Sequence, residues 1–273
     1  MIPFDDFGGS GPLLHFAHAN GYPPRAYRPL IERLLPAFHV LAAHARPLWP
    51  GSRPEGFKNW NPLTEDLIRF LDERRARGIV GVGHSMGGVS TLDAALRRPD
   101  LFRALVLIDP VIFRRRFIWG WLFLKSLGVG DRLHPLISGT LRRRRAFASV
   151  DEMFARYRRA PIFSRLDDDG LRAYVESLAQ LRPDGQVELT YPPEWEAAIY
   201  RHGPPDLWGR MAALRLPLLV IYGAESDTFR APAMEKMTHR IPHASFQAVP
   251  AAGHLVPLER PAAVAEALLA FLK

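Results

Sequence analysis

The 273-residue chain has no cysteine, so disulfides, a thiolate nucleophile and thiolate-held metal are all excluded. Neither a G-x-x-x-x-G-K-[ST] loop nor a G-x-G-x-x-G loop is present, and no histidine or carboxylate spacing has the form of a metal site. No cofactor and no metal are therefore expected. The apolar run from Phe117 to Leu124 falls well short of the roughly 18 residues that a bilayer span requires. The opening residues Met1-Ile2-Pro3-Phe4-Asp5-Asp6 have no positive n-region and no apolar core of a signal peptide, so a cytoplasmic location is expected. Internal repeats and low-complexity linkers are also missing.

Acidic residues are scarce in one place. Residues 111–160 hold 12 Lys or Arg against 3 Asp or Glu, although the whole chain carries only +8. Outside that segment the protein is nearly neutral. Such a balance fits a solvated basic face, or a surface that meets anionic lipid through Arg114-Arg115-Arg116 and Arg142 to Arg145. Nucleic acid is disfavoured as a partner, because no recognition module or aromatic stacking signature accompanies the charge. Oligomeric state stays open.

What the sequence does have is Gly83-His84-Ser85-Met86-Gly87, set between the apolar run Ile79 to Val82 and the helix-like stretch from Gly88 to Arg98. A serine on a sharp strand-to-helix turn needs small neighbours two residues away on either side, where a Cβ would meet crossing backbone. Gly83 and Gly87 meet that need. A glycine-rich turn whose serine merely caps a helix is the plain alternative.

Around this motif short apolar runs alternate with helical patterns, as in a parallel sheet covered by helices. The spacing predicts strands at 13–17, 39–43, 79–82, 104–108, 217–222 and 245–249. It predicts helices near 27–35, 62–77, 86–98, 232–240 and 261–272, with Gly78 and Pro99 as stops. Asn20, Ser85, Asp109 and Asp227 all fall just beyond predicted strands, where such sheets bind ligands. Between about Val111 and Leu214 the alternation fails and no strand pattern is convincing. That segment is expected to be a helical cap inserted after the strand ending near Asp109.

With Leu13 to Gly21 near the start and Ala252-Gly253-His254-Leu255-Val256-Pro257-Leu258-Glu259-Arg260-Pro261 near the end, the chain resembles the α/β-hydrolase fold superfamily, in its serine-nucleophile, esterase- or lipase-like branch. The resemblance covers roughly residues 13–110 and 215–273. It implies a mostly parallel central sheet flanked by helices, with residues 1–110 and 215–273 as the core and 111–214 as the cap or lid. It also implies a triad in the order Ser85, Asp227, His254. Asp109, in Leu107-Ile108-Asp109-Pro110, is the rival acid, since some members place it after the preceding strand; Glu225 is a weaker one. The resemblance further implies an oxyanion hole built from the backbone N–H groups of Met86 and Asn20. Two departures stand out: Ala19 occupies a position where glycine is common, and the short leader leaves room only for a first strand that is short or missing.

In such a site Ser85 attacks a carbonyl, His254 takes and returns the proton, and the acid holds the histidine tautomer. His18 and His84, with Trp119 and Trp121 of the apolar run, are candidates to line the substrate pocket; packing is the alternative for each. Serine rather than aspartate at the nucleophile position disfavours epoxide and haloalkane chemistry. The expected activity is hydrolysis of small to medium apolar carboxylic esters through an acyl-enzyme. Thioesters, lactones, amides and carbon–carbon bonds are alternatives on the same triad. A small-molecule receptor or a lipid-surface-binding protein is the alternative of another class.

Overall fold

Apolar residues on the strands alternate with period two, and the computed structural model, which describes residues 1–112, 120 and 134–273, puts each set on its own face of one sheet. On β5 (Phe102–Ile108), Val106 and Ile108 enter one core while Leu105 and Leu107 enter the other. β9 (Leu218–Gly223) divides in the same way, with Leu219 and Ile221 opposite Leu218 and Val220. Both faces must therefore be covered, which is the condition for a parallel sheet.

The described residues form a seven-stranded sheet in the order β1-β3-β2-β4-β5-β9-β10. The remaining strands are β1 (Phe4–Gly8), β2 (Leu13–Ala17), β3 (His39–Ala43), β4 (Ile79–His84) and β10 (Ser245–Val249). All neighbours run parallel except the edge pair β1–β3. The first strand is thus present but only five residues long. One face is packed by α1 (Arg28–Ile31) and α10 (Pro261–Phe271); the other by α2 (Asn61–Glu73), α3 (Met86–Arg97) and α8 (Ala231–Arg240). α2 stops at Glu73, ahead of the expected stop at Gly78, and Arg75 then turns the chain with φ 54°.

Between β5 and β9 the chain leaves the sheet. Its described part contains α4 (Pro135–Leu141), α5 (Val150–Arg158), α6 (Asp168–Leu178) and α7 (Pro193–His202). Contrary to the expectation of helices alone, it also holds a three-stranded antiparallel sheet, in the order β6 (Ala146–Phe147), β8 (Val187–Leu189), β7 (Ala179–Leu181). These strands are two or three residues long, too short to show a period. The insertion shares both cores: Phe147 and Tyr174 join the first, Trp195 and Trp208 the second. No helix among the described residues is long and apolar enough to cross a membrane.

Candidate active site

β4 runs into α3 with a single residue, Ser85, at the joint. Ser85 has φ 54° and ψ −115°, a conformation costly for a residue with a Cβ. Tight crossing explains the two glycines. A Cβ on Gly83 would lie 2.4 Å from the Gly87 carbonyl oxygen, and one on Gly87 would lie 2.1 Å from that of Ala17. The turn leaves Ser85 at the N-terminal end of α3, where free backbone N–H groups and the helix dipole favour developing negative charge.

Register brings Asp109 beside Ser85. His84 pairs with Ile108 across β4 and β5, so Ser85 and Asp109 are the next residues on adjacent strands, and the Ser85 N–H donates to the Ile108 carbonyl at 2.9 Å. His254, in the loop between β10 and α9 (Val256–Glu259), lies between them. Its Nδ1 is 3.0 Å from Asp109 Oδ1 and its Nε2 is 3.0 Å from Ser85 Oγ. With Nδ1–H donating to the carboxylate, Nε2 is free to accept the serine proton. Ser85 and Asp109 are buried, and His254 is partly open to the cavity.

The carboxylate on His254 is that of Asp109, and Asp227 stands apart from it. It is exposed, accepts a hydrogen bond from Thr228 Oγ1 at 3.2 Å and has none to His254. The loop after β9 instead serves Asp109. Gly223 N–H donates to Asp109 Oδ2 at 3.0 Å, and Ser226 Oγ donates to Oδ1 at 2.7 Å. The loop is tied down by Ala224 N–H to the Val249 carbonyl and Glu225 N–H to the Ala252 carbonyl, both 2.9 Å. Four residues beyond the end of β9, Asp227 lies on the cavity wall. Glu225 is likewise exposed and pairs with Arg165.

Asn20 and Met86 lie beside Ser85 on the wall of a cavity of about 530 Å³. Among the described residues, neither backbone N–H donates to a protein acceptor. The Ala19 N–H, by contrast, is taken by the Tyr27 hydroxyl at 3.1 Å. Ala19 itself is buried, two residues beyond the regular pairing of β2 with β4.

His18 and His84 do not line this cavity; both are buried behind it. His18 Nδ1 donates to the Ala19 carbonyl at 2.8 Å while its Nε2 accepts from Ala45 N–H at 3.0 Å, and burial pulls its pKa down to about 4. His84 Nδ1 accepts from the Tyr27 hydroxyl at 2.7 Å, and its Nε2–H donates to the His254 carbonyl at 2.9 Å. Burial, and then the neighbouring His254, hold His84 neutral. Both histidines are thus structural struts, one under the Asn20 loop and one under the His254 loop. Trp119 and Trp121 lie outside the described residues. The cavity's described apolar wall comes from other residues, including Trp60, Leu136, Ile162 and Ile199.

Sequence reasoning passed over Tyr27, Ser226, Tyr191 and Glu259. Glu259 Oε2 accepts from Gly253 N–H at 2.7 Å and so fixes the histidine loop; its place in Leu258-Glu259-Arg260-Pro261 was the available signal. Tyr27 and Tyr191 carry no local signal, since their partners are distant in sequence.

Known proteins agree with this architecture. The model of the "Alpha/beta hydrolase family" matches residues 16–267. The chain is 25% identical over 265 residues to 2-(acetamidomethylene)succinate hydrolase of Mesorhizobium japonicum, covering 97% of this chain and 89% of that protein. It is 23% identical over 214 residues to esterase YbfF of Escherichia coli, covering 78% and 75%. Among solved structures, that of E-2-(acetamidomethylene)succinate hydrolase superposes with a TM-score of 0.79 at 23% identity, over 98% of this chain and 94% of the other. With the match running through the strand before Asn20, the serine turn and the histidine loop, this chain belongs to the alpha/beta hydrolase family.

Proposed function

We propose that the protein is a serine hydrolase that cleaves carboxylic esters of small to medium apolar substrates through an acyl-enzyme. The observation that carries this reading is the unbroken line Ser85 Oγ, His254, Asp109, opening on the cavity. Ser85 attacks the ester carbonyl as its proton passes to His254 Nε2. The C–O bond to the alcohol then breaks, with His254 returning the proton to the leaving oxygen. Water repeats the sequence on the acyl-enzyme and frees the acid. Asp109 accepts from His254 Nδ1–H and holds the imidazole in place. The N–H groups of Met86 and Asn20 stabilise the oxyanion, each donor being worth roughly a hundred- to a thousandfold in rate.

An apolar substrate is favoured by the Trp60, Leu136, Ile162 and Ile199 wall. In this reading residues 111–214 act as a cap that covers the reacting ester. The names of the relatives, a hydrolase of an acetamidomethylene succinate and an esterase, are compatible with acyl transfer to water. A lipid-facing role for the basic segment finds little support in its described part. Arg143, Arg144 and Arg145 pair with Glu196, Glu152 and Glu194 respectively.

The test is hydrolysis of chromogenic esters from acetate to palmitate by wild type and Ser85→Ala. We expect a short- or medium-chain optimum, with turnover falling roughly 10⁴-fold or more in the variant. Equal turnover by Ser85→Ala would contradict the proposal.

A further inference from the structure

The peptide that carries the Asn20 N–H is held from two directions. The Ala19 carbonyl and the Asn20 N–H belong to one planar unit, so whatever fixes the carbonyl also aims the N–H. That carbonyl accepts from His18 Nδ1 at 2.8 Å and from Tyr22 N–H at 3.2 Å. These restraints come from the core part of the chain. The Asn20 side chain is held by the insertion instead: its Nδ2 donates to the Glu196 carbonyl at 3.0 Å, and its Oδ1 accepts from the Tyr191 hydroxyl at 2.9 Å. Asn20, Tyr191 and Glu196 are all buried, so water offers no easy substitute for these bonds.

The insertion is firmly seated at this point. The Glu196 carboxylate forms an ion pair with Arg143 at 2.7 Å and accepts from Thr140 Oγ1 at 3.2 Å. It also packs on Gly21, whose φ is +80° and whose Cβ, if present, would sit 3.0 Å from the carboxyl carbon. The positive φ favours glycine there, and its missing Cβ leaves room for the Glu196 carboxylate.

We propose that Tyr191 is a positioning residue for the oxyanion hole, and that docking of the insertion through Tyr191 and the Glu196 carbonyl completes the hole. The inference rests on the reading of Ser85 as nucleophile. It gives the insertion a part in the rate of the chemical step, besides shaping the cavity. Loosening the insertion frees the Asn20 side chain, lets the peptide plane rock and weakens the oxyanion contact before substrate binding is affected.

Phosphonylation by an alkyl fluorophosphonate reports on this directly. Ser85 Oγ bonds to phosphorus, fluoride leaves with the P–F bond, the serine proton passes to His254, and the phosphoryl oxygen takes the oxyanion position. Labelling of Ser85 is followed by mass spectrometry over a range of probe concentrations, giving a limiting rate and a half-saturating concentration. Tyr191→Phe is compared with wild type, Asn20→Ala, the double variant and Ser85→Ala. Tyr157→Phe is the control, because it removes a buried insertion hydroxyl without a hydrogen-bond partner among the described residues.

The expected result is a limiting rate lowered about tenfold or more in Tyr191→Phe and in Asn20→Ala, with half-saturation changed less than about twofold. The loss in the double variant should be smaller than the product of the two single losses, since both break the Tyr191–Asn20 bond. Tyr157→Phe should label like wild type. Wild-type limiting rates in both Tyr191→Phe and Asn20→Ala, or losses confined to half-saturation, overturn the inference alone. Absence of label from Ser85 in the wild type overturns the nucleophile reading and the inference with it.

Discussion

The two residues that flank the His254 ring, Ser85 and Asp109, adopt left-handed backbone at a cost, with φ 54° and φ 41°. Such strain is on the order of 1–3 kcal/mol per residue and persists only where neighbours over-determine the conformation. Here the neighbours are identifiable. Asp109 N–H donates to the Ile221 carbonyl at 2.7 Å, and its carboxylate accepts from Gly223, Ser226 and His254. Beneath His254, the Tyr27 hydroxyl accepts from Ala19 N–H and donates to His84. Tyr27→Phe leaves both partners buried and unsatisfied, and should cost about 2–4 kcal/mol in urea unfolding; a loss below about 0.5 kcal/mol would show that the hydroxyl is dispensable. The meeting of Ser85 and His254 was legible from the sterically dictated glycines around the serine and from the family resemblance of Gly253-His254. The carboxylate beside His254 was not. Asp109 and Asp227 both follow strands, and only the register His84↔Ile108, a long-range property, selects Asp109.

Elements with a clear period were legible nearly to the residue, as β2 and β3 illustrate, because burial of alternate side chains fixes both extent and face. α2 was overextended at its end, since Arg74 to Arg77 continue a helix-compatible composition while the chain has already turned. The short strands of the insertion gave no periodic signal at all. Between elements, the serine turn depends on closeness more than on glycine flexibility. Gly87→Ala would drive a methyl group to 2.1 Å from the Ala17 oxygen, against backbone that cannot yield. It should lower stability by more than about 2 kcal/mol and abolish Ser85 labelling. Gly139→Ala in α4, where the added Cβ meets nothing within 4 Å among the described residues, should be neutral or stabilise by up to about 1 kcal/mol. Equal melting temperatures for the two variants would contradict the steric account.

For the molecule as a whole, buried neutral histidines link folding to pH. Burial pulls His15 down to about 3 and His18 to about 4, from an ordinary value of 6.5. Between 6.5 and those values the unfolded chain binds more protons than the fold. The stability they contribute is therefore complete above about pH 6.5 and is lost as pH falls towards 4. Each should cost about 2 kcal/mol on going from neutral pH to pH 5. Urea midpoints at pH 7 and pH 5 measure the sum, and identical midpoints would mean that these histidines protonate within the fold. The site itself stands on three separate strand ends brought together by sheet order, with Asp109 supplied by β5. The most direct test of that assignment is kcat for a butyrate ester in Asp109→Asn beside Asp227→Asn. A fall of roughly 10³- to 10⁴-fold in Asp109→Asn, with Asp227→Asn within about threefold of wild type, is the result expected; the reverse order would contradict it and return the acid to the loop after β9.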